Sequence, residues 1–255
     1  MKEFHKFLRM NENVAMRGVA WLQKTVMLLF LMLLIGNNAW AQTTRYWVGN
    51  AGDSNWATAT NWDLVSGGNL NPGVPANTDT VIFDENSFLV NQTVAMGAVR
   101  TCATMIWRDL TVNPVFDMGT FNLTITGSVI LDPHMTIISG NTTALFSFTN
   151  AGAGKIFKTS NVNIPRAVTF NNATGDWTIQ DSLKTSGTVT VTNGSLNLAG
   201  NYLSCPTLTL TLGTLNMDGS TVVCAGTVTH TNGYLTMKGA NLQCNTFTAS
   251  ANNAK

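Results

Sequence analysis

The chain has little charge. Asp, Glu, Lys and Arg make up 11% of its 255 residues, which excludes the solvated helical architectures that carry a charged face on every turn. Histidine occurs three times and cysteine four times. No C-x-x-C, H-E-x-x-H, G-x-S-x-G or P-loop pattern is present, so the compact signatures of metal, hydrolase and nucleotide chemistry are missing. Long apolar runs are missing too: Val26 to Ile35 is too short for the roughly 20 residues of a spanning helix.

What remains is rich in Thr, Asn and Gly, and it repeats. Thr188 to Cys205, Thr207 to Cys224 and Thr227 to Cys244 each read T-x-T-x-T or close to it, then a Gly turn, an alternating apolar segment and a Cys. The steps from Thr188 to Thr207, Thr227 and Thr246 are 19, 20 and 19 residues, and Gly194, Gly213 and Gly233 keep the same beat. One β-coil fits a period this short. The spacing therefore predicts an all-β chain, a right-handed parallel β-helix (solenoid) of about 19–20 residues per coil.

Alternation within each coil assigns the faces. Thr188, Thr190, Thr192, Thr207, Thr209, Thr211, Thr227, Thr229, Thr231, Thr246 and Thr248 fall on one set of positions and form a candidate outward surface ladder. The inward set is Val189, Val191, Leu208, Leu210, Val228, His230, Phe247 and Ala249, joined by Leu196, Leu198, Leu215, Met217, Leu235 and Met237 on the second strand. Leu203, Cys205, Val222, Cys224, Leu242 and Cys244 complete it on the third. Burying one such side chain contributes roughly 1.5–3 kcal/mol, while ordering each backbone residue costs roughly 1–2 kcal/mol, so no coil is stable alone and the coils must stack. Gly200, Gly219 and Gly239 mark corners where φ is positive or Cβ has no room. Gly175, Trp177 and Ile179 predict a further coil, Thr120 to Gly127 looks like another rung, and irregular coils are expected over about 110–170. By the same 19-residue step, Asn171 and Ala173 are expected to interrupt two Thr columns one coil earlier.

The N-terminus carries an address. Val26 to Ile35 follows a basic stretch and precedes Ala39-Trp40-Ala41, an A-x-A site, so a secretory signal peptide over 1–41 with cleavage between Ala41 and Gln42 is expected. Residues 42–255 then hold nine basic and eleven acidic side chains, a net charge of −2, which gives no signal for nucleic acid or anionic membrane. No membrane span is expected after cleavage, and the expected location is secreted or on the outer cell surface. Residues 42–109 read as an aromatic N-terminal cap with the first strands, and 110–255 as β-helix coils, regular from about 175 and truncated in mid-repeat at Asn253-Ala254-Lys255.

Residues 45–107 differ in texture. They read Arg45-Tyr46-Trp47-Val48-Gly49, Asn55-Trp56, Asn61-Trp62-Asp63, Ser66-Gly67-Gly68, Pro72, Pro75 and Asp79-Thr80-Val81-Ile82-Phe83-Asp84-Glu85-Asn86-Ser87-Phe88, followed by Cys102 to Trp107. This series resembles the Y-W-V-G…D-x-V-x-F-D-x-N-S-F segment near the start of solenoid-like units in very large bacterial surface proteins of the type IX secretion and gliding-motility-associated class. The resemblance implies an exported protein with a parallel β-helical region and an adhesion or structural role, with extracellular glycans or surface proteins as partners. It also implies further modules and a C-terminal sorting domain. Two departures stand out: Asn61 replaces the His that many relatives place before the Trp, and Asn50 to Ser54 lengthens the first turn.

Candidate chemistry is sparse. Trp47, Trp56 and Trp62 are expected to cover the open end of the first coil, with a glycan-stacking platform on Trp56 and Trp62 as the sharper alternative. Asp53, Asp63, Asp79, Asp84 and Glu85 are candidates for Ca²⁺, but they lack calcium-loop spacing, and turn capping is the plainer expectation. His230 in an inward column reads as a satisfied core residue, and His134 lies in a Pro133 turn without a nameable nucleophile. No catalytic residue, cofactor site or metal site is nominated. Two other functions fit the fold: a β-helical polysaccharide lyase or hydrolase, for which Asn77-Thr78-Asp79 is an isolated fragment of one motif, and an ice-binding protein using the Thr ladder.

Overall fold

The computed structural model describes residues 42–141, 144–149 and 152–250; the expected signal peptide over 1–41 lies outside the described residues. The chain winds into a β-solenoid of about eight turns, with 18 strands in one continuous sheet and three in a second. Each coil visits three faces in turn. The middle coils show the order plainly: Leu123–Ile125, then Val129–Ile130, then Thr136–Ile138, then Leu145–Phe148 back on the first face. Stacked strands pair parallel and in register, as one strand per face per coil requires.

The first face shows how regular the stacking is. Its registers join Thr101, Thr124, Ser147, Thr169, Thr190, Thr209, Thr229 and Thr248 into one column of eight hydroxyl residues. The sequence steps along this column are 23, 23, 22, 21, 19, 20 and 19 residues, so the coil shortens toward the C-terminus while the rungs stay aligned. In the Thr190 column the expected interruption by Asn171 does not occur, whereas Thr192 has no partner in the strand below. Thr169, not Asn171, stands beneath Thr190, because the register shifts twice between Phe170 and Asp176, first by one residue in the Val189–Asn197 strand and then by three in the Ala167–Ile179 strand, which so absorbs a net two extra residues. A fixed 19-residue step projected backward cannot register a bulge.

Beside this column lie the inward ones. Leu123, Phe146, Val168, Val189, Leu208 and Val228 form one, and Cys102, Ile125, Phe148, Phe170, Val191 and Leu210 form the next; all are buried. Aromatic stacking follows from registry: Phe148 and Phe170 occupy adjacent rungs of one column with centroids 4.8 Å apart and planes 13° apart. On the second and third faces, Trp177, Ile179, Leu196, Leu198, Leu203, Leu215, Met217 and Val222 are buried as the alternation predicts. In the last coil the inward positions are less covered: Leu235, Leu242 and Cys244 are partly buried, and Met237 and Phe247 are exposed.

Two kinds of glycine hold the coil shape for different reasons. At Gly200, Gly219 and Gly239 φ is +78°, +69° and +67° while a Cβ would meet nothing closer than 3.9 Å, so conformation is the requirement. Turn glycines are needed for space. A Cβ on Gly213 would lie 2.4 Å from the carbonyl oxygen of Gly194, and one on Gly233 would lie 2.1 Å from that of Gly213. Each turn therefore rests directly on the backbone of the turn below.

Arg166 is a fully buried residue that sequence patterning gives no reason to single out. It stands at the corner leading into the Ala167–Ile179 strand, and its guanidinium reaches back across two earlier corners. It donates to the Phe121 carbonyl, to the Gly119 carbonyl at 3.0 Å and to the Ser139 hydroxyl at 2.6 Å. Burial pulls its pKa below the ordinary arginine value, partly offset by the charge of Asp117.

Candidate functional site

The N-terminal end brings the separated motif segments together. Thr44–Trp47 pairs parallel with Thr80–Phe83 and antiparallel with Trp62–Asp63, setting Tyr46 opposite Asp63 and Trp47 opposite Trp62. Ser54 to Trp56 adds a rung to the neighbouring face through Ala95 N–H to Ser54 O and Trp56 N–H to Ala95 O, at 2.7 and 2.9 Å. Strand edges that would otherwise be open at this end are thus occupied on two faces.

Trp47, Trp56 and Trp62 close the core end. Trp62 packs edge-on against Trp47 and Trp56 at 5.2 and 4.8 Å, and its Nε1–H donates to the Trp56 carbonyl at 2.7 Å. Phe83 stacks on Trp107 at 3.9 Å beneath them. The glycan-stacking alternative fails on exposure: Trp56 is 1% and Trp62 0% exposed, so neither presents a ring face to a sugar. Their area is spent on covering the first coil.

Four of the five acidic residues accept hydrogen bonds from the turns and strands packed around them. Asp53 accepts from Asn55 N–H, the Thr58 hydroxyl and the Asn61 amide at 2.9, 2.8 and 2.7 Å. Asp63 receives the backbone N–H groups of Leu64, Val65 and Leu70. Asp79 receives the Thr43 hydroxyl, Ala76 N–H and Arg45 Nε, and Asp84 receives the Ser66 hydroxyl and Asn86 N–H at 3.1 Å each. For Asp63 and Asp79 burial works to raise the pKa, but these donors prevail and hold it below the ordinary carboxylate value. Glu85 is exposed and meets the Asn86 amide at 3.5 Å.

The two departures from the family-like pattern turn out to be one feature. Asn61 is fully buried, its Nδ2 donating to Asp53 Oδ1 and to the Asn55 carbonyl at 3.0 Å, and its Oδ1 accepting Ala51 N–H at 2.9 Å. An amide supplies both the donors and the acceptor that the lengthened Asn50–Ser54 turn needs.

A cleft of about 340 Å³ opens where Y-W-V-G, S-G-G and D-x-N-S meet, lined by Gly49, Asn50, Gly67, Asn86, Ser87, Leu89 and Gln92 among others. The S-G-G loop docks on the Asp84–Ser87 turn through Asn86 Nδ2 to the Ser66 hydroxyl at 3.0 Å. Gly68 has no room for a side chain, because a Cβ there would lie 2.5 Å from the Asp63 carboxylate. Spacing alone gave no sign that these three segments would share a wall.

The remaining polar candidates lie apart from the cleft. His134 Nδ1 contacts Asp132 Oδ1 at 2.9 Å within one turn, and that carboxyl also receives the backbone N–H groups of His134 and Leu110. His230 Nε2 meets the Gly233 carbonyl at 3.2 Å from its half-buried place in the inward column. Cys205, Cys224 and Cys244 stack rung upon rung as free thiols, the first two buried with sulfurs 3.2 Å apart. The shared hydrogen bond to Cys224 and burial both push the Cys205 pKa up. Burial does the same to Cys102, with a small addition from Asp79.

No protein-family model, curated protein or solved structure matches this chain. Functional argument therefore rests on the fold and on these sites.

Proposed function

We propose that this protein is an exported β-solenoid with an adhesive or structural role at the outer cell surface, a part of a larger surface protein of the type IX secretion-associated class. The observation that carries the reading is the use to which polar groups are put. Asp53, Asp63, Asp79 and Asp84 accept from the turns and strands packed around them, Asp181 receives Thr159 and Ser160 N–H, and Asp218 receives Lys238 N–H. Carboxylates engaged this way stabilise a rigid spacer, whereas a β-helical lyase or hydrolase needs them free along an outward groove. The uncovered inward side chains of Met237 and Phe247 suit a further coil laid on that end.

The test is location and attachment. Antibody to the solenoid should label intact cells of the source organism or recover the protein from their medium, and deleting the gene should weaken attachment or the outer layer. Retention of the protein in the cytoplasm refutes the reading. Release of reducing or unsaturated ends from polysaccharides by the purified protein would replace it with the enzyme.

A second reading has one observation in its favour. The hydroxyl column runs unbroken over eight coils, roughly 34 Å at about 4.8 Å per rung, on the regular β-face that binding to ice requires. Thermal hysteresis that disappears when Thr190, Thr209 and Thr229 are replaced by Tyr would establish it.

A further inference from the structure

We propose that the Asn232-Gly233 turn modifies itself, closing to a succinimide that water opens to aspartate and isoaspartate. The chain carries Thr-Asn-Gly twice, at Thr192-Asn193-Gly194 and at Thr231-Asn232-Gly233, on turns that stand two coils apart in one stack. The reacting residues and the one before them are identical, so a difference in reactivity comes from the fold. Ring closure needs the glycine nitrogen to reach Cγ of the asparagine. Gly233 N–H donates to Asn232 Oδ1 at 2.8 Å, so the attacking nitrogen already lies against the carbonyl it attacks, a preorganisation that speeds an intramolecular step. Asn232 is exposed to water, and the turn lies between the Thr221–His230 and Tyr234–Thr236 strands rather than inside either.

Asn193 is held in place. It lies inside the Val189–Asn197 strand, paired with Asn171, and its Nδ2 donates to Asn171 Oδ1 at 3.3 Å. A Cβ on Gly194 would lie 2.4 Å from the Asn172 carbonyl oxygen and 2.6 Å from that of Gly175, while the Gly213 turn rests on Gly194 from the other side. Ring closure rotates the main chain at the asparagine, and a backbone packed on both sides resists it. Gly233 rests on Gly213, and among the described residues no turn stacks on it in its own right. In the reaction Gly233 N loses its proton to solvent base and its electron pair forms a bond to Asn232 Cγ. The Cγ–Nδ2 bond breaks, and the amide group takes up a proton and leaves as ammonia. Water then adds at Cγ to give aspartate, or at the main-chain carbonyl carbon of Asn232 to give isoaspartate, in which the chain runs through Cβ. The net exchange is water for ammonia, with no oxidant and no second protein, and the turn gains a carboxylate.

This chemistry is independent of the surface reading above. Purified protein is incubated at neutral and mildly alkaline pH in heavy-oxygen water, both folded and in urea, and the two turns are followed by peptide mapping and mass spectrometry. Loss of ammonia with uptake of labelled oxygen at Asn232 is expected, with aspartate and isoaspartate peptides separated by chromatography. In urea the two Thr-Asn-Gly sites should react at one rate. In the folded protein Asn193 should fall behind Asn232 by about tenfold or more, the effect of holding one pair of reacting groups apart and the other together. Asn232→Gln must close a larger ring and should lose the modification while keeping the parent's thermal unfolding midpoint. Leu212→Asn, at an exposed position before Gly213, should resist as Asn193 does, because Gly213 rests on Gly194 and carries Gly233. If that variant does not fold, the two natural turns decide alone. A ratio in the folded protein below about tenfold, modification that persists in Asn232→Gln, or a folded Leu212→Asn that reacts as fast as Asn232 overturns the proposal.

Discussion

Replacing Arg166 by Met tests what binds successive corners of the solenoid together. The substitution keeps most of the aliphatic volume and removes three hydrogen bonds, to the carbonyls of Phe121 and Gly119 and to the Ser139 hydroxyl. Gly119 O retains Gly140 N–H at 2.7 Å and Ser139 Oγ retains Asn141 N–H at 3.3 Å, so Phe121 O is the acceptor left bare. An unsatisfied buried acceptor costs about 1–3 kcal/mol, and each of the two other charge-assisted bonds contributes a further fraction. Working against this, Met removes the desolvation of a buried cation whose Nε has no partner among the described residues. The net expectation is a loss of about 2–3 kcal/mol, read as a lower urea midpoint at unchanged slope by tryptophan fluorescence. Arg166→Lys should lose at least as much, because a single ammonium cannot span three acceptors and stays buried. Arg166→Met within about 0.5 kcal/mol of the parent, or more stable than it, would refute the reasoning: the guanidinium would then be a net cost, as some buried ionic groups are.

Leu215→Ala, in the fully packed second face, should destabilise by about 2–5 kcal/mol, while charged residues at Thr209 and Thr229 should leave folding nearly intact; equal losses by calorimetry would reverse the assignment of faces. Asp63 and Asp79 have folded pKa values below their unfolded ones, so the unfolded chain binds more protons as acid is added. Their contribution is complete above the unfolded value of about 3.9 and is lost as pH falls through the folded values. Acid should therefore loosen the tryptophan cap, and Asp79→Asn should flatten that part of the fluorescence titration. Cys244, half-buried, should react with a thiol-alkylating reagent well before buried Cys102, Cys205 and Cys224 in the native protein; a disulfide between Cys205 and Cys224, found by mass spectrometry without reduction, would contradict the free-thiol stack. N-terminal sequencing of exported protein should begin at Gln42, and a start more than a few residues away would refute the A-x-A reading.

Local repetition settled the architecture before any coordinates. Alternation of Thr with Val and Leu over 188–249 determined which side chains enter the core, and the beat of Gly194, Gly213 and Gly233 determined the coil length, because inside and outside in a strand depend only on parity. The aromatic density of residues 45–62 likewise marked the end that needed covering. Tertiary structure decided what depends on register between distant segments. Only the stacked coils show that Thr169 rather than Asn171 continues the hydroxyl column, since a bulge shifts register without changing composition. Arg166 gains its meaning from carbonyls 45 and 47 residues away in the chain. The Gly49 cleft exists because pairing of Thr44–Trp47 with both Trp62–Asp63 and Thr80–Phe83 brings three loops to one place. No property of any one of those loops encodes the position of the others, because their meeting is set by strand pairing across the fold.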